Sequence, residues 1–266
     1  MTLSLADILT LEGPGGQIAH VALRLPSANL VTRELAALLR TLPEEIDQGL
    51  PHVRAVVLSG PAGGPFCEGA AQSFYDEAKG LTGADALAHV AAYQVASAVA
   101  AIQRPVIAAI EGAAYEQGFE IALAADLRVA GESATFRLGQ VGQGLIPWDG
   151  GTQRLRRIAG QPVALDLILT GRTIAAREAL DLGLVDRAAP ASSALAVAMD
   201  LAAAIARGAP LAARYAKEVV RSGLDMTLEH GILLETDLTM VLQTTADRAE
   251  GIRSFLERRK PEFTGQ

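Results

Sequence analysis

The segment Glu111-Gly-Ala-Ala-Tyr-Glu-Gln-Gly-Phe-Glu120 separates two contrasting patterns in the chain. The run before it, Pro105–Ile110, is apolar and uncharged, which is typical of a buried strand. After it, Phe119, Leu123 and Leu127 recur at helical spacing. Small residues keep most of the intervening loop free of bulk. The pattern therefore predicts a buried strand, a tight loop and a helix in succession.

The start of this predicted helix is where chemistry is expected. The first N–H groups of a helix have no partner inside it, and the helix dipole makes that end positive. Glu120 falls within the first turn. Free N–H groups beside a carboxyl group are what an enzyme needs to hold a developing oxyanion and to move a proton next to it.

A second junction of this kind lies upstream. Val53–Ser59 has the pattern of a strand, Gly60–Pro65 is a turn-rich loop, and Phe66–Ala71 follows it. Each junction alone is a weak signal, because many α/β proteins have glycine-rich turns with no further role. Together the two loops could each supply one backbone N–H donor, and their combination favours an enzyme site.

The composition narrows the classes of protein. With 266 residues, half of them hydrophobic, the chain is long enough to bury a large core. A net charge of −7 argues against nucleic acid or an anionic membrane surface as the main partner. Cys67 is the single cysteine, so an internal disulfide and a cysteine-based zinc site are excluded. The four histidines lack metal spacing, and no metal site is expected.

Two features bear on location. Met1–Asp7 has no basic segment and no long apolar run, so no signal peptide is expected. No apolar stretch approaches the length of about 18 residues that a transmembrane helix needs. These features predict a cytoplasmic protein.

Other elements follow from periodicity and turn residues. Ile8–Glu12 and Ile18–Leu23 predict a β-hairpin, because Gly13–Gly16 between them is a turn. Thr32 is expected to cap a helix that runs to about Leu42. Three further predictions are a long helix over Asp85–Ile102, two helices over Thr152–Ala159 and Pro162–Thr170 with Gly160 as the stop between them, and a nearly all-helical chain from Leu195 to the end.

Ordered motifs along nearly the whole chain carry a resemblance. They are Phe66–Ala70, Gly112–Glu120 with its helix through Arg128, Phe136, Gly144–Pro147, Gly150–Arg154, Leu169–Arg172, Gly183–Val185 and Phe255–Pro261. In this order they resemble the crotonase superfamily, the enoyl-CoA hydratase/isomerase fold. The set is specific for the superfamily and not for one reaction within it.

The resemblance implies an α/β fold, a crotonase-like spiral of ββα units over residues 1–190 that holds an acyl-CoA site. After a boundary near Pro190–Ser193, residues 191–266 would form a helical C-terminal region used in trimer formation. A homotrimer or a dimer of trimers is therefore expected. The implied substrate is an acyl-CoA thioester; coenzyme A is part of that substrate, and no further cofactor is implied. Neither nucleic acid nor a membrane is an expected partner.

The resemblance also implies roles for individual residues. The backbone N–H groups of Glu68 and Gln117 would stabilise a thioester enolate, and Glu120 would be the general acid/base. Contacts to the substrate or its coenzyme A are expected from Phe66, Gly69, Ala70, Gly118, Trp148, Phe255 and Lys260. Of these, Trp148 would be a wall of the acyl pocket, whereas Phe255 and Lys260 would reach the coenzyme A of a neighbouring subunit.

Three bulky residues depart from the family pattern. Members usually have small residues where Glu68, Glu116 and Gln117 stand, so the acyl pocket is expected to be narrower or more polar.

A second departure concerns proton transfer. Hydratases of the family use a second glutamate where this chain has Gln140, which can orient a water but cannot exchange a proton. Asp149 is the candidate substitute. It could face the acyl pocket, or it could cap the helix that starts at Gly150–Thr152.

Three functions therefore stay open. The first is an acyl-CoA lyase of the enoyl-CoA hydratase type, with Glu120 as general acid/base and water held by Gln140 or Asp149. The second is an isomerase or a C–C bond hydrolase that acts through one carboxylate. The third is a non-catalytic acyl-CoA-binding member. His89, between the two loops, is a further candidate for the pocket.

Overall fold

The computed structural model describes residues 3–23 and 29–266. Met1 and Thr2 lie outside the described residues; they are part of Met1–Asp7, the segment in which no signal peptide is expected. The strands are β1 (Leu9–Glu12), β2 (Ile18–Ala22), β3 (Leu30–Val31), β4 (Ala55–Ser59), β5 (Gly69–Ala70), β6 (Val106–Ile110), β7 (Ala113–Tyr115), β8 (Leu127–Gly131), β9 (Thr135–Arg137), β10 (Ile174–Ala175) and β11 (Arg187–Ala189).

The helices are α1 (Leu5–Ile8), α2 (Arg33–Leu39), α3 (Leu42–Glu44), α4 (Gln72–Glu77), α5 (Gly83–Tyr93), α6 (Ala96–Ala101), α7 (Gln117–Ala124), α8 (Gly151–Thr170), α9 (Ala176–Asp181), α10 (Ala194–Ala206), α11 (Pro210–Gly223), α12 (Leu228–Gln243) and α13 (Ala246–Leu256). Short turns of tighter or wider helix occur at Pro14–Gly16, Glu45–Gly49 and Gln140–Gln143.

A six-stranded sheet with the order β1-β2-β4-β6-β8-β11 forms the centre of the molecule. The first two strands pair antiparallel, which confirms the predicted hairpin, and the other neighbours pair parallel. Each of β2, β4, β6 and β8 is followed by a short strand and then by a helix. The short strands form two small sheets, β10-β9-β7 and β3-β5. This repeat confirms the predicted α/β spiral of ββα units.

Apolar residues cover both faces of the central sheet. On one face, α10 lies against the strands through alanines at positions 194, 198, 202 and 206, because small side chains let a helix approach a sheet closely. The opposite face holds the larger core, which includes α7. Every residue of α7 is buried. The predicted catalytic helix therefore lies inside the protein, and polar side chains on it must find partners there.

The prediction of one long helix over Asp85–Ile102 is wrong. The chain forms α5 and α6 instead, with a break between Tyr93 and Ala96. At the break, the Asp149 carboxylate accepts hydrogen bonds from the N–H groups of Val95 (2.8 Å) and Ala96 (3.0 Å). A side chain distant in sequence thus caps a new helix where periodicity alone predicts continuation.

The predicted helix after Glu120 is also shorter than expected. It ends at Ala124, and Leu127 begins β8. Ala125 is extended, with φ −66° and ψ 158°, and the N–H of Asp126 donates to the Val106 carbonyl at 2.9 Å. Pairing with the neighbouring strand therefore takes over from helical bonding at this point.

Two helix boundaries agree with the sequence. The Thr32 hydroxyl accepts a hydrogen bond from the N–H of Leu35 at 3.2 Å, which confirms the predicted cap, although α2 ends at Leu39 and not near Leu42. Gly160, with φ +84°, interrupts α8 where a stop is predicted.

The C-terminal chain is helical to Leu256 and not to its end. Residues 257–266 fold back, and the buried Asp247 carboxylate accepts hydrogen bonds from the N–H groups of Thr264 (2.7 Å) and Gly265 (3.0 Å). The prediction of a nearly all-helical chain holds as far as Leu256 and is wrong for the last ten residues: Arg258 has φ +54°, and the Asp247 carboxylate binds the backbone of the tail.

Neither α11 nor α12 contains a buried residue. Large apolar side chains on these helices and on α13 are exposed, among them Val220, Leu224, Leu228, Ile232, Met240, Phe255 and Leu256.

No single helix in the described ranges is long and apolar enough to cross a membrane; α10 and α11 meet the criterion only as a pair, and that pair is bent by 109°.

Candidate active site

Two backbone segments that are far apart in the sequence run side by side at the centre of the candidate site. The Cys67 N–H donates to the Ala113 carbonyl at 3.1 Å, and the Tyr115 N–H donates to the Cys67 carbonyl at 2.9 Å. Gly118 makes this approach possible, because a Cβ atom at that position would lie 2.0 Å from the Cys67 carbonyl oxygen. The two predicted donor loops are therefore in contact.

The two predicted backbone donors are free. Within residues 3–23 and 29–266, no acceptor is hydrogen-bonded to the N–H of Glu68 or to that of Gln117. Gln117 is the first residue of α7, where a helix leaves its N–H groups unpaired. The backbone turns sharply beside both donors, with φ +116° at Gly69 and φ +49° at Glu116. This arrangement can accept an oxyanion.

Glu120 lies next to these donors and is fully buried. Its Oε1 accepts hydrogen bonds from the N–H groups of Asp149 and Gly151, both at 2.8 Å, and its Oε2 accepts from Gln140 Nε2 at 3.3 Å. A Cβ at Gly151 would lie 2.9 Å from Oε1, so only glycine lets the carboxyl group in at this distance.

Burial raises the pKa of Glu120 from 4.5 to about 7, even though the two backbone N–H groups act to lower it. The negative charge of Asp149 raises that pKa further. A carboxyl group with a pKa near neutrality can both take up and release a proton at physiological pH.

Asp149 lies directly beside Glu120 and is also buried. Its Oδ2 accepts hydrogen bonds from the N–H groups of Val95 and Ala96 and from Gln117 Nε2, the last at 2.9 Å. Burial raises the pKa of Asp149. The helix that it caps is α6, and not the helix at Gly150–Thr152, whose N-cap residue makes no side-chain bond.

The buried side chain of Gln117, whose backbone N–H is a predicted donor, is held by two hydrogen bonds. Its Nε2 donates to the Tyr93 carbonyl at 2.6 Å as well as to Asp149. Among the described residues, three buried side-chain oxygens around Glu120 have no hydrogen-bond partner: Gln117 Oε1, Gln140 Oε1 and Asp149 Oδ1. The site is thus polar and rich in acceptors.

Trp148 belongs to an aromatic cluster at the edge of the site. Its ring stacks on Phe74, with centroids 4.6 Å apart and planes inclined by 8°. Phe74 also contacts Tyr93, whose carbonyl holds Gln117. Trp148 is half-buried, so one side of it can line an acyl pocket. The His89 ring stacks on Phe74, is inclined by 53° to the Tyr93 ring, and is hydrogen-bonded to the Phe74 carbonyl at 2.8 Å.

The other predicted substrate contacts differ in their positions. Gly69 and Ala70 form β5 beside the donor Glu68. The Phe66 side chain is fully buried in the core, so only its backbone is available to a ligand. Phe255 is 82 % exposed on α13, and no described contact joins it to the Glu120 cluster.

Lys260 lies beyond α13, beside a cavity of about 640 Å³ that is also lined by Arg54, Arg207 and Phe263. That cavity contains none of the residues around Glu120.

Sequence reasoning missed several members of the site. Tyr75 is one: burial raises the pKa of its phenol, and the negative charges of Glu116 and Glu120 raise it further, which places it close to both. Gly151 is another, although the Gly-Gly pair at 150–151 is a visible signal. The role of Tyr93 rests on its carbonyl and carries no sequence signal.

Among the described residues, no group of three or more His, Cys, Asp or Glu side chains is placed to hold a metal ion.

The fold and the site define a class of protein, and comparison with known proteins identifies the family. The sequence model of the protein family described as Enoyl-CoA hydratase/isomerase matches residues 14–266 of this chain. A probable mitochondrial enoyl-CoA hydratase of Arabidopsis thaliana is 37 % identical over 257 residues, which cover 96 % of this chain and 84 % of that protein. The (E)-benzylidenesuccinyl-CoA hydratase of Thauera aromatica is 37 % identical over 258 residues, which cover 97 % of this chain and 99 % of that protein.

A solved structure agrees with these relatives. The enoyl-CoA hydratase of Bacillus anthracis superimposes with a TM-score of 0.89 at 33 % identity, over 97 % of this chain and 99 % of that one. The chain belongs to the enoyl-CoA hydratase/isomerase family, and its α/β spiral is the crotonase fold. The resemblance found in the sequence is therefore confirmed.

Proposed function

We propose that this protein is an enoyl-CoA hydratase, a lyase that adds water across the double bond of an acyl-CoA thioester. The observation that carries the proposal is the Glu120 carboxyl group, which is buried and held at both oxygens beside two backbone N–H groups that have no acceptor among the described residues. This is the combination that stabilises a thioester enolate and moves a proton next to it.

The thioester carbonyl is proposed to bind between the N–H groups of Glu68 and Gln117. Bond formation at Cβ shifts electrons onto that oxygen, and both donors then bind more negative charge than they do in the ground state. Removal of one such donor typically costs about 10²–10³ in rate.

Glu120 is proposed to carry the proton. In its ionised form it removes one proton from a water molecule, the water oxygen bonds to Cβ, and the enolate forms. The same carboxyl group then returns the proton to Cα, so that all the atoms of the water molecule are in the product. A pKa of about 7 suits a group that acts as base and then as acid.

Gln140 is proposed to hold the water. Its Nε2 donates to Glu120, which leaves its buried Oε1 as an unused acceptor for a water O–H. The alternative is that Asp149 carries a second proton through its unpartnered Oδ1. The three hydrogen bonds to Oδ2 favour a structural role, in which Asp149 fixes Gln117 and the break between α5 and α6.

A second candidate function is double-bond isomerisation, or hydrolysis of a C–C bond, through a single carboxylate. Gln140 in the place of a second glutamate favours isomerisation, because an isomerase moves a proton between two carbons and needs no activated water; C–C hydrolysis would still need a water, which Glu120 alone would activate.

The coenzyme A part of the substrate is proposed to contact Phe255 and Lys260 of a neighbouring subunit in a homotrimer or a dimer of trimers. The exposed apolar side chains of α11, α12 and α13 support such an assembly. No cofactor beyond the substrate's own coenzyme A is proposed, and neither nucleic acid nor a membrane is a proposed partner.

An activity panel tests these functions. Short-chain, alicyclic and aromatic enoyl-CoA esters would be incubated with the protein, and the products would be followed by mass spectrometry. Aromatic esters are included because one relative is a benzylidenesuccinyl-CoA hydratase. A product heavier by one water with its carbon skeleton intact supports hydration. A shifted double bond at unchanged mass supports isomerisation, and a cleaved or opened skeleton supports C–C hydrolysis. Binding of every ester without turnover would indicate a non-catalytic member.

A further inference from the structure

The residue just before the donor Gln117 has an unusual backbone. Glu116 has φ +49° and ψ −122°, a region that glycine adopts readily and that other residues avoid. Such a conformation is strained and persists only where the surroundings hold it. A glutamate at this position therefore needs a compensating set of contacts.

The Glu116 side chain makes those contacts. It is only 6 % exposed. Its Oε2 accepts a hydrogen bond from the Gly139 N–H at 2.8 Å, and its Oε1 accepts from Arg137 Nε at 3.2 Å. The backbone N–H of Glu116 donates to the Arg137 carbonyl at 2.9 Å. Three bonds thus join one residue of the donor loop to the segment at 137–139.

Both ends of this connection lie next to groups of the proposed reaction. The ψ angle of Glu116 sets the plane of the following peptide bond, and so the direction in which the Gln117 N–H points. Gly139 precedes Gln140, whose amide donates to Glu120. A single carboxylate therefore links the oxyanion donor to the residue proposed to hold water.

The charge of Glu116 is balanced within the site. A carboxylate beside an oxyanion hole would oppose the negative charge that develops there. The Arg137 guanidinium pairs with it at 3.2 Å and stacks over the Tyr115 ring, with its central carbon 4.4 Å from the ring centroid. The pair offsets that repulsion and leaves the geometry in place.

We propose that Glu116 is a positioning residue that holds the Gln117 N–H at the angle needed to bind the thioester oxygen. The inference rests on the proposed function, because it assigns Gln117 to an oxyanion hole. Glu116 acts through its neighbours and touches no reacting atom.

The test compares three variants. Glu116→Ala removes the carboxylate but keeps a Cβ, so the positive φ loses the contacts that hold it and the Gln117 N–H can turn away. Glu116→Gln keeps one acceptor oxygen for one of the two donors. The matched control is Glu111→Gln, which changes a carboxylate at the start of the same segment that bonds to the Ala194 N–H and the Ser133 hydroxyl, both at 2.8 Å.

Turnover of the best enoyl-CoA from the panel is the first measurement. Glu116→Ala is expected to lower kcat by about 10²-fold, the size of the loss of one oxyanion donor, with KM changed by less than about 3-fold. Glu116→Gln is expected to lose roughly 3–10-fold, as for one lost hydrogen bond. The control should stay within about 2-fold of wild type. The melting temperature of each variant shows whether the fold is intact.

The second measurement is the infrared carbonyl band of bound butyryl-CoA that is isotopically labelled at the thioester carbonyl. Hydrogen bonds from an oxyanion hole shift this band to lower frequency, and Glu116→Ala should lose most of the shift. If wild type shows the shift and Glu116→Ala keeps both the shift and its kcat, the positioning role is wrong while the oxyanion hole stands. If wild type shows no shift, the oxyanion hole itself is wrong, and the positioning role fails with it.

Discussion

Opposing effects act on the Glu120 carboxyl group. Removal from water favours its neutral form, as does the nearby charge of Asp149, whereas hydrogen bonds from the backbone at Gly151, Asp149 and Trp148 favour the ionised form. The result is a pKa of about 7. Burial therefore brings the pKa of this carboxyl group near neutrality, while hydrogen bonds to both of its oxygens hold it in place.

Glu120→Gln should abolish turnover and leave acyl-CoA affinity nearly unchanged. Glutamine cannot exchange a proton, so kcat should fall by at least about 10²–10⁴-fold. The fold should tolerate the change, because the new amide oxygen can accept from Asp149 and Gly151, and Gln140 can turn its unpartnered Oε1 toward the new amide N–H. Steady-state kinetics and calorimetric titration with an acyl-CoA measure the two effects. Retention of most of the activity would move the acid/base role to another residue.

The pH dependence of activity follows from the same pKa. If the ionised form of Glu120 takes the proton from water, kcat/KM should rise with pH through about 7 and then level off. A profile that is flat between about pH 5 and 9 would contradict this assignment.

Stability should show the opposite trend. The folded pKa of Glu120 is raised above the unfolded value of 4.5, so its neutral form stabilises the fold fully below pH 4.5, and this contribution is lost as pH rises through about 7. The difference is at most on the order of 3 kcal/mol in the free energy of unfolding. Denaturant titrations at several pH values, compared with Glu120→Gln, measure it; the variant should lack this component.

Asp149→Asn distinguishes a cap from a proton carrier. If Asp149 mainly caps α6 and holds Gln117, the free energy of unfolding should fall by about 1 kcal/mol and the rate should change little. We expect this outcome. Chemical denaturation and kinetics on the same preparation test it. A loss of rate as large as that of Glu120→Gln would instead make Asp149 the second proton carrier.

At the scale of elements, the site depends on how closely the start of α7 approaches the backbone of Cys67, which precedes the other proposed donor, Glu68. Gly118 stands at the contact, where a Cβ would lie 2.0 Å from the Cys67 carbonyl oxygen. Because the obstacle is backbone, a side chain at 118 would have to push the two donor loops apart.

Gly118→Ala should therefore lower both stability and activity. Overpacking of this kind typically costs about 1–3 kcal/mol, and separation of the donors should reduce kcat more than KM. The matched control is Gly142→Ala, where a new Cβ would meet nothing within 4 Å. Thermal unfolding and steady-state kinetics of both variants are the measurements. Equal behaviour of the two variants would contradict the close approach.

At the scale of the whole molecule, polar side chains attach the C-terminal helices to the rest of the protein, and large apolar side chains on these helices are exposed. Lys217 and Arg221 of α11 both pair with Asp126, and Arg221 also donates to the carbonyls of Ala100 and Ala124, at the ends of α6 and α7. The outer faces of α11 and α12 have no partner among the described residues. An apolar surface of this kind is typical of an interface between subunits.

We expect a homotrimer or a dimer of trimers in solution. Light scattering should give a mass three or six times the 27.7 kDa of one chain. Leu228→Glu, at a side chain that is 82 % exposed on α12, should weaken the assembly, while Leu87→Glu, at an exposed position of α5, serves as control. A stable monomer of the unaltered protein at micromolar concentration would contradict the prediction.

The sequence by itself determined the features that depend on neighbouring residues. The apolar run at Pro105–Ile110 predicted β6, and the helical spacing from Phe119 predicted a helix with Glu120 in its first turn, although Ala113–Tyr115 of the predicted loop form β7. The hairpin, the cap at Thr32 and the stop at Gly160 followed from turn and cap residues. The ordered motifs gave the family.

Only the tertiary structure decided what depends on contacts between distant residues. The break between α5 and α6 exists because Asp149, more than fifty residues later, bonds to Val95 and Ala96. Likewise, Asp247 holds the tail that follows α13 by accepting hydrogen bonds from its backbone, and the Glu116 carboxylate is bound by the Gly139 N–H. Local periodicity contains no record of such bonds, because their free energy arises only when packing brings the partners together in a site that excludes water.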